Sequence, residues 1–413
     1  MTAPNTRKPH RHRSAFAEPL FRRYFPASCC STLGSWMVRF LLGLNAWELT
    51  HSALWVGIVA AVMLLPTFVL SPIFGIVSDR INPRNGLLVT VLTHGLIAGT
   101  AGAVNTLGAF TLPWLLGLAA VLGAATSAHA PIRLALIPRL VPREALPSAV
   151  GLSAIIFNTS RILGPAAGAW LILNYSTATA FYMAMTMFAA ALLLLSTVRG
   201  IEKLPQRESG SLLNEFQAGF RYARNHPGIR LVLAFTLLSG LLGRSVIELL
   251  PALSGVLLNG DSGTLATLTA TAGVGSIIGG LVVSRHSGSE SKLLNLIIVC
   301  LLLTASILLP MYWIRSVAAL CTLILCLSMI TTMIGTGSQV LIQLLVAEAY
   351  RGRVMSLWTV LALGAPAIGA FLIGALADTL GFPMVLTSFA LVSLMAVAML
   401  YNKPLLASSG HDD

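Results

Sequence analysis

Residues 163–172 read LGPAAGAWLI, and residues 364–373 read GAPAIGAFLI. Aligned on Pro165 and Pro366, the two phrases share the same pattern of small residues and end on the same Leu-Ile pair, about half of the 413-residue chain apart. The recurrence of such an apolar segment indicates an internal duplication.

Two further matches occur at nearly the same spacing. The segment Gly75–Arg80 (GIVSDR) matches Gly280–Arg285 (GLVVSR), and in that register Arg39 falls over Arg244. The pattern predicts two related halves. Two related halves built of apolar helices are typical of secondary transporters, whose substrate site lies near the membrane midplane between the halves.

The composition indicates a membrane protein. The chain is 56% hydrophobic and only 10% charged, with a mean hydropathy of +0.84, whereas an average soluble domain has about 25% charged residues. An apolar run of about 20 residues spans a bilayer as a helix, because a backbone in lipid must satisfy its own hydrogen bonds. Twelve such runs lie at 24–47, 54–77, 86–104, 113–131, 148–173, 178–197, 229–250, 264–283, 293–311, 317–345, 354–377 and 384–401. The predicted fold class is all-α integral membrane, with twelve transmembrane helices in two pseudo-symmetric six-helix halves.

The net charge of +12 first suggests nucleic-acid binding, but its distribution argues against that partner. If the tails and every second loop are assigned to one side, that side holds most of the 26 Lys and Arg residues, and the opposite loops hold only Arg315. The positive-inside rule then places both termini in the cytoplasm. The predicted parts are a basic N-tail (1–23), an N-terminal half (24–197), a cytoplasmic linker loop (198–228), a C-terminal half (229–401) and a C-tail (402–413). Because residues 1–23 lack an apolar region, we expect the first span to act as an uncleaved signal for the bacterial inner membrane.

The sequence lacks the motifs of enzymes and metal proteins. Its five cysteines all lie in apolar runs without metal-ligand spacing, so we interpret them as core residues. No Walker A, HExxH or CxxC motif is present. We therefore predict a transporter rather than an enzyme, with no cofactor or metal and without direct use of ATP.

The stretch GIVSDRINPR, residues 75–84, resembles the signature loop between the second and third helices of the major facilitator superfamily. Gly75, Asp79, Arg80 and Arg84 fit the signature, and Asn82-Pro83 depart from it. Three further stretches, at 131–168, 211–227 and 351–359, are similar to the branch that contains the enterobactin exporter and the macrolide-efflux-type transmembrane secretion effectors.

The resemblance implies two gating elements. Asp79 would clamp the halves on the cytoplasmic side, with Arg80, Arg84 and Arg133 as its partners; the alternative is a solvated loop of topogenic arginines. The stretch from Ser160 through Gly164-Pro165 to Gly168 is similar to the fifth-helix antiporter motif. Small residues allow close helix approach and proline bends a helix, although tight packing alone would use the same residues.

Three arginines lie deep within predicted spans. Arg39 and Arg244 are each about 15 residues from the cytoplasmic start of their helix, roughly 22 Å, and Arg161 lies at a similar depth. The resemblance implies that all three helices face a central cavity. Since a guanidinium binds carboxylate through two parallel hydrogen bonds, these arginines predict an anionic substrate. The alternative is that they pair with protein groups.

Pairing with a protein group is the main alternative for Arg244, because Glu248 follows it at i+4. Glu248 is the one acidic residue left inside a predicted span, and we interpret it either as the proton-coupling group or as a structural partner of Arg244. Other polar residues also lie within spans. Asn158, Gln339 and Gln343 are candidate substrate contacts, with bonding to a neighbouring helix as the alternative.

The sequence thus predicts a monomeric, proton-coupled exporter that moves a small anionic metabolite, in the first place a siderophore, across the inner membrane by alternating access. Its partners are the substrate, protons and the bilayer. The alternative is a multidrug or macrolide-type efflux pump. A receptor or scaffold that kept the fold without transport is a third hypothesis, which the intact Asp79-Arg80 pair disfavours.

Overall fold

The computed structural model describes residues 14–199, 212–286, 290–314, 316–347 and 350–401, and within these ranges the chain is helical apart from short connections. The α-helices are α1 (Pro19–Thr50), α2 (Ala53–Arg80), α3 (Pro83–Thr106), α4 (Leu112–Leu140), α5 (Leu146–Asn174), α6 (Thr177–Ser196), α7 (Leu212–Asn225), α8 (Pro227–Ser239), α9 (Ser245–Glu248), α10 (Leu250–Leu258), α11 (Ser262–His286), α12 (Glu290–Leu308), α13 (Val317–Leu345), α14 (Arg351–Leu380) and α15 (Phe382–Tyr401). A π-helical turn at Gly240–Arg244 joins α8 to α9.

Nine helical segments of the described chain are long and apolar enough to cross a membrane, one of them being Pro227–Glu248. The helices α2, α5 and α15, of 28, 29 and 20 residues, coincide with the other three predicted runs. The predicted class, an all-helical membrane protein, is confirmed.

The helices extend beyond the predicted runs. Helix α1 begins at Pro19 rather than at residue 24, and α4 continues to Leu140 rather than ending at 131. The prediction ended α4 at a proline, but α4 continues through both Pro131 and Pro138. Prolines are tolerated in membrane helices because neighbouring helices and side chains satisfy the freed backbone groups.

The signature loop has a local structural reason for its departure from the family pattern. The side chain of Asn82 accepts a hydrogen bond from the Arg84 N–H at 3.0 Å, and Pro83 is the first residue of α3. Asparagine at the N-cap followed by proline is a favourable start for a helix. The Asn-Pro pair therefore begins α3 immediately after α2 ends.

The helices form two groups, which we call the N-terminal set (α1–α6) and the C-terminal set (α8–α15). In the first, α1 packs on α5 and α6, and α3 packs on α4 and α6; in the second, α13 packs on α11 and α12. The sets meet along two seams, α2 against α14 and α5 against α11. On the first seam Gly57 and Gly374 allow close approach, because a Cβ atom at either position would clash with a carbonyl oxygen of the opposite set.

Part of the predicted linker loop is helical. Helix α7 occupies residues 212–225, and its Tyr222 ring stacks on that of Tyr350 with centroids 4.3 Å apart. The Tyr222 hydroxyl also accepts a hydrogen bond from the Ala347 N–H at 3.3 Å. This part of the linker is therefore docked on the C-terminal set, whereas residues 200–211 lie outside the described ranges.

Candidate transport site

A salt bridge joins the two sets at the depth predicted for the substrate. Arg39 on α1 donates from Nη2 to Glu248 Oε2 of α9 at 2.6 Å, with side-chain exposed fractions of 29% and 14%. Helical spacing predicted Arg244 as the protein partner of Glu248, and the structure instead gives its salt bridge to Arg39. Arg244 and Arg161 still lie near enough to act electrostatically on Glu248.

Trp36 lies between two of the predicted arginines. The Arg39 and Arg161 guanidinium carbons are 5.8 and 5.6 Å from the centroid of its ring, which suits cation–π attraction. The ring of Phe157 meets Trp36 edge-on at 5.4 Å. Gly164 lies under this group, since a Cβ atom there would come within 2.8 Å of Trp36 Cβ. Gly164 therefore serves close packing of α5 on α1, and Pro165 follows it inside α5.

Arg161 makes a second contact between the sets, through hydroxyls. Its Nη1 donates to Ser276 Oγ of α11 at 2.7 Å, and the oxygens of Ser276 and Ser328 are 2.8 Å apart. Because Ser328 donates its only proton to the Ala272 carbonyl, at 2.5 Å, Ser276 must donate to Ser328. The chain of donors thus runs in one direction from the buried Arg161, which is 8% exposed, to a backbone oxygen of α11.

Arg244 has a different environment. It borders a cavity of about 220 Å³ within the C-terminal set, together with Gln339 and Trp358. No hydrogen bond or ion pair within 4 Å involves Arg244 among the described residues, and the buried Trp358 indole N–H has no partner there. The hydroxyl-bearing residues of the cavity wall are Thr236, Ser239, Thr331, Thr332 and Thr336. The cavity is rich in hydrogen-bond donors and carries a positive charge.

Two other polar residues predicted to contact the substrate, Asn158 and Gln343, do not line the cavity of Arg244. Asn158 donates to the carbonyl of Ala154 in its own helix at 2.8 Å. Gln343 is exposed and is not among the residues that line the cavity of Gln339. The structure therefore brings together Arg39, Arg161 and Glu248 between the two sets and Arg244 with Gln339 in the cavity, but it does not bring Gln343 to that cavity.

The end of the bundle that carries the α1–α2 connection is closed by an acidic residue. Asp378 of α14 accepts hydrogen bonds from the Ala53 and Leu54 N–H groups, at 2.8 and 3.1 Å, and from the Ser52 hydroxyl. A carboxylate is favourable at a helix N-terminus, where free N–H groups and the helix dipole meet. Asp378 thus caps the start of α2 from the opposite set, a role that its position near a helix end did not reveal.

At the other end, the side chains of the predicted clamp residues Asp79 and Arg80 lie outside the described part of the structure. Arg84 is bonded within the N-terminal set, to the Ser196 carbonyl at 2.7 Å and to Asn85 at 3.2 Å. The predicted pairing of Arg84 with Asp79 involves a side chain outside the described part of the structure, and the short turn into α3 places Arg84 beside the end of α6. Arg133 lies on α4, where its charge acts on Tyr24 and His129.

Comparisons with known proteins show the family of the chain. The chain matches the family described as Transmembrane secretion effector over residues 12–412. It is 27% identical to the Staphyloferrin A transporter of Staphylococcus aureus over 266 residues, which are 63% of this chain and 66%, just under two thirds, of that protein. It is 26% identical to the Enterobactin exporter EntS of Citrobacter koseri over 403 residues, 94% of each chain.

Among solved structures, the nucleoside transporter NupG has a TM-score of 0.71 at 13% identity, covering 93% of this chain and 98% of that one. A mutant form of the same transporter has a TM-score of 0.76. This likeness concerns the fold. Two helical sets joined across polar seams, with these relatives, define a transporter of the major facilitator superfamily and not an enzyme. Within that superfamily, the chain belongs to the Transmembrane secretion effector family.

Proposed function

We propose that this protein is a proton-coupled exporter of a small anionic metabolite, in the first place a siderophore, across the bacterial inner membrane. The observation that carries the proposal is the set of three arginines with a single glutamate between and beside the two helical sets. Charges inside a membrane protein are costly and are typical of substrate and ion pathways. An excess of guanidinium favours an anion as the substrate.

The cavity beside Arg244 supplies the chemistry for such a substrate. A carboxylate or a similar oxyanion can accept hydrogen bonds from Arg244 and from the neighbouring hydroxyls. Two relatives carry siderophore names, the Staphyloferrin A transporter and the Enterobactin exporter EntS, which favours a siderophore over other anions.

Proton coupling follows from competition for the arginines. An anionic substrate that attracts Arg244 and Arg39 weakens the hold of Arg39 on Glu248, so Glu248 can take up a proton and the salt bridge between the sets opens. The opposite step, loss of that proton, restores the salt bridge. The two reactions link substrate movement to a proton and to the contact between the sets.

The orientation of the chain completes the proposal. The chain has twelve spans, and the positive-inside rule places both termini and the linker in the cytoplasm. Residues 24–197 and 229–401 are the moving halves of a monomer. The end capped by Asp378 then faces the periplasm and is closed, so the transport site is reached from the cytoplasm. Export proceeds when this end opens and the end of Asp79, Arg80 and Arg133 closes.

The test uses cells that lack this protein and grow without iron. We expect a chelator to accumulate inside the cells and to fall in the medium, as measured by mass spectrometry. The parent chain should restore secretion and Arg244→Gln should not, whereas Arg224→Gln, at an exposed arginine of α7, should behave as the parent. Unchanged chelator secretion with increased macrolide sensitivity would replace the siderophore by neutral drugs.

A further inference from the structure

A second buried polar group lies inside the N-terminal set and takes no part in the contacts between the sets. The rings of His94 on α3 and His129 on α4 are 5.7 Å apart, and His94 is only 3% exposed. On its other side His94 meets the Phe188 ring of α6 at 5.5 Å. Two histidines this close, within apolar helices, call for a chemical explanation.

Hydrogen bonds fix the tautomer of each ring. The Thr90 hydroxyl donates its one proton to the Leu87 carbonyl at 3.0 Å, so it must accept from His129 Nδ1, which is 2.9 Å away. His94 Nδ1 faces the Thr90 carbonyl at 2.6 Å and must also carry a proton. Both neutral rings therefore keep Nε2 as the basic nitrogen.

Each basic nitrogen has polar surroundings. His94 Nε2 is 3.4 Å from the Thr126 hydroxyl. His129 borders a small cavity of about 10 Å³, about the size of one water, beside Tyr24, Ser28 and Ser31 of α1. A proton added to His94 Nε2 can thus find an oxygen acceptor, and His129 lies beside a space for one water.

The charged and ionisable neighbours of this pair are few. Tyr24 faces the cavity from α1, and Arg133 lies one helical turn beyond His129 on α4 and acts on it electrostatically. From α6 the cavity receives Ala191 and Leu195, and none of its described lining comes from α2 or α5. Arg133 is therefore the neighbouring charge that can control a proton on the pair.

We propose that His94 and His129 form a site for a single proton, whose occupancy Arg133 controls. Burial disfavours an imidazolium, and two imidazolium rings at this distance repel each other, so the pair binds one proton only on acidification and a second only at a still lower pH. Ile132, next to Arg133, packs on Gly86 beside the signature loop. A shift of Arg133 on closure of that end changes the proton affinity of the pair while the histidines stay in place. The role of this proton in transport rests on the proposed function; the site itself does not.

The test follows the protonation of histidine in the full chain by NMR, with isotope-labelled histidine and lipid nanodiscs. His94→Asn and His129→Asn identify the two signals, because asparagine keeps a donor near the Nδ1 position and cannot take up the proton. We expect Nδ1–H tautomers at neutral pH and uptake of one proton by the pair on acidification. In Arg133→Gln the same proton should bind at a pH higher by about one unit, the effect of a removed neighbouring charge.

His226→Asn is the matched control, since His226 caps the start of α8 and asparagine is a good cap. It should leave the signals of the pair unchanged. Independent titration of both rings, Nε2–H tautomers, or an Arg133→Gln titration identical to that of the parent would overturn the inference. If a histidine variant does not fold, the parent and Arg133→Gln titrations still decide the question.

The same measurement separates this inference from the proposed function because it needs no substrate. If the pair binds one proton as expected but transport does not depend on a pH gradient, the site is correct and the proton-coupled function is wrong. If the pair fails the titration while Glu248→Gln abolishes pH-driven transport, the histidine site is wrong and the proton-coupled function is correct.

Discussion

Arg39 and Arg244 occupy equivalent positions in the two halves of the sequence repeat, yet their surroundings differ. Arg39 donates to Glu248 at 2.6 Å and joins the two sets. Arg244 borders the 220 Å³ cavity and makes no hydrogen bond to the described residues. The duplication provided two cations but one nearby carboxylate. One arginine therefore joins the two sets, and the other is available to an anion.

The largest effect is expected from Glu248→Gln, which removes the carboxylate that distinguishes the surroundings of Arg39 from those of Arg244. Arg39 then loses its ionic partner while Arg161 and Arg244 add like charge nearby. Removing one member of a fully buried pair costs about 3 kcal/mol of unfolding free energy or more, and this partly buried pair should lose somewhat less. Thermal unfolding of the purified protein in detergent measures the loss. Glu290→Gln, at the exposed start of α12, is the control, and equal melting temperatures for the two variants would contradict the role given to the salt bridge.

The next effect separates the two arginines from each other. Arg244→Gln should weaken binding of the proposed anionic substrate by about tenfold or more, the value of one charge-assisted hydrogen bond, and leave the melting temperature nearly unchanged. Arg39→Gln should lower both binding and stability, because Arg39 also holds Glu248. Titration calorimetry and thermal unfolding of both variants provide the readouts. Equal stability losses in the two variants would show that the arginines are equivalent after all.

Sequence reasoning reached the all-helical fold and pointed to the charged residues that lie between the sets and in the cavity, but not to all of their pairing. Hydropathy and the repeat are local patterns, and they predicted the all-helical membrane class. The i+4 spacing of Arg244 and Glu248 is also local, and it pointed to the wrong arginine, because the partner found in the structure is 209 positions away. Ser276 and Ser328 carried no signal at all, since a serine in an apolar helix looks like a small packing residue until its neighbour is known.

A smaller effect is expected at the end closed by Asp378, where backbone groups replace arginine as the donors. In Asp378→Asn one oxygen acceptor becomes an N–H donor facing the start of α2, so one bond is lost and the others weaken. We expect the population with this end open to rise about tenfold. Spin labels at the exposed positions 49 and 380 of a cysteine-free chain measure the separation of α1 and α14.

The control for this change is Thr379→Val, because the Thr379 hydroxyl bonds within its own helix, to Leu376. Its distance distribution should match that of the parent. If Asp378→Asn also matches the parent, the cap on α2 does not hold this end closed, and the close approach at Gly57 and Gly374 is sufficient.

The smallest effect is expected from Ser276→Ala, which tests the hydroxyl contact of Arg161 between the sets against the ionic contact of Arg39. Arg161 loses a neutral acceptor at 2.7 Å but keeps its position over Trp36. A hydrogen bond that involves a charged group contributes at least about 1.5 kcal/mol, so the melting temperature should fall, but less than in Glu248→Gln. Ser306→Ala, an exposed serine bonded to its own helix, is the matched control. A loss as large as that of Glu248→Gln would mean that Arg161, rather than Arg39, is the main link between the two sets.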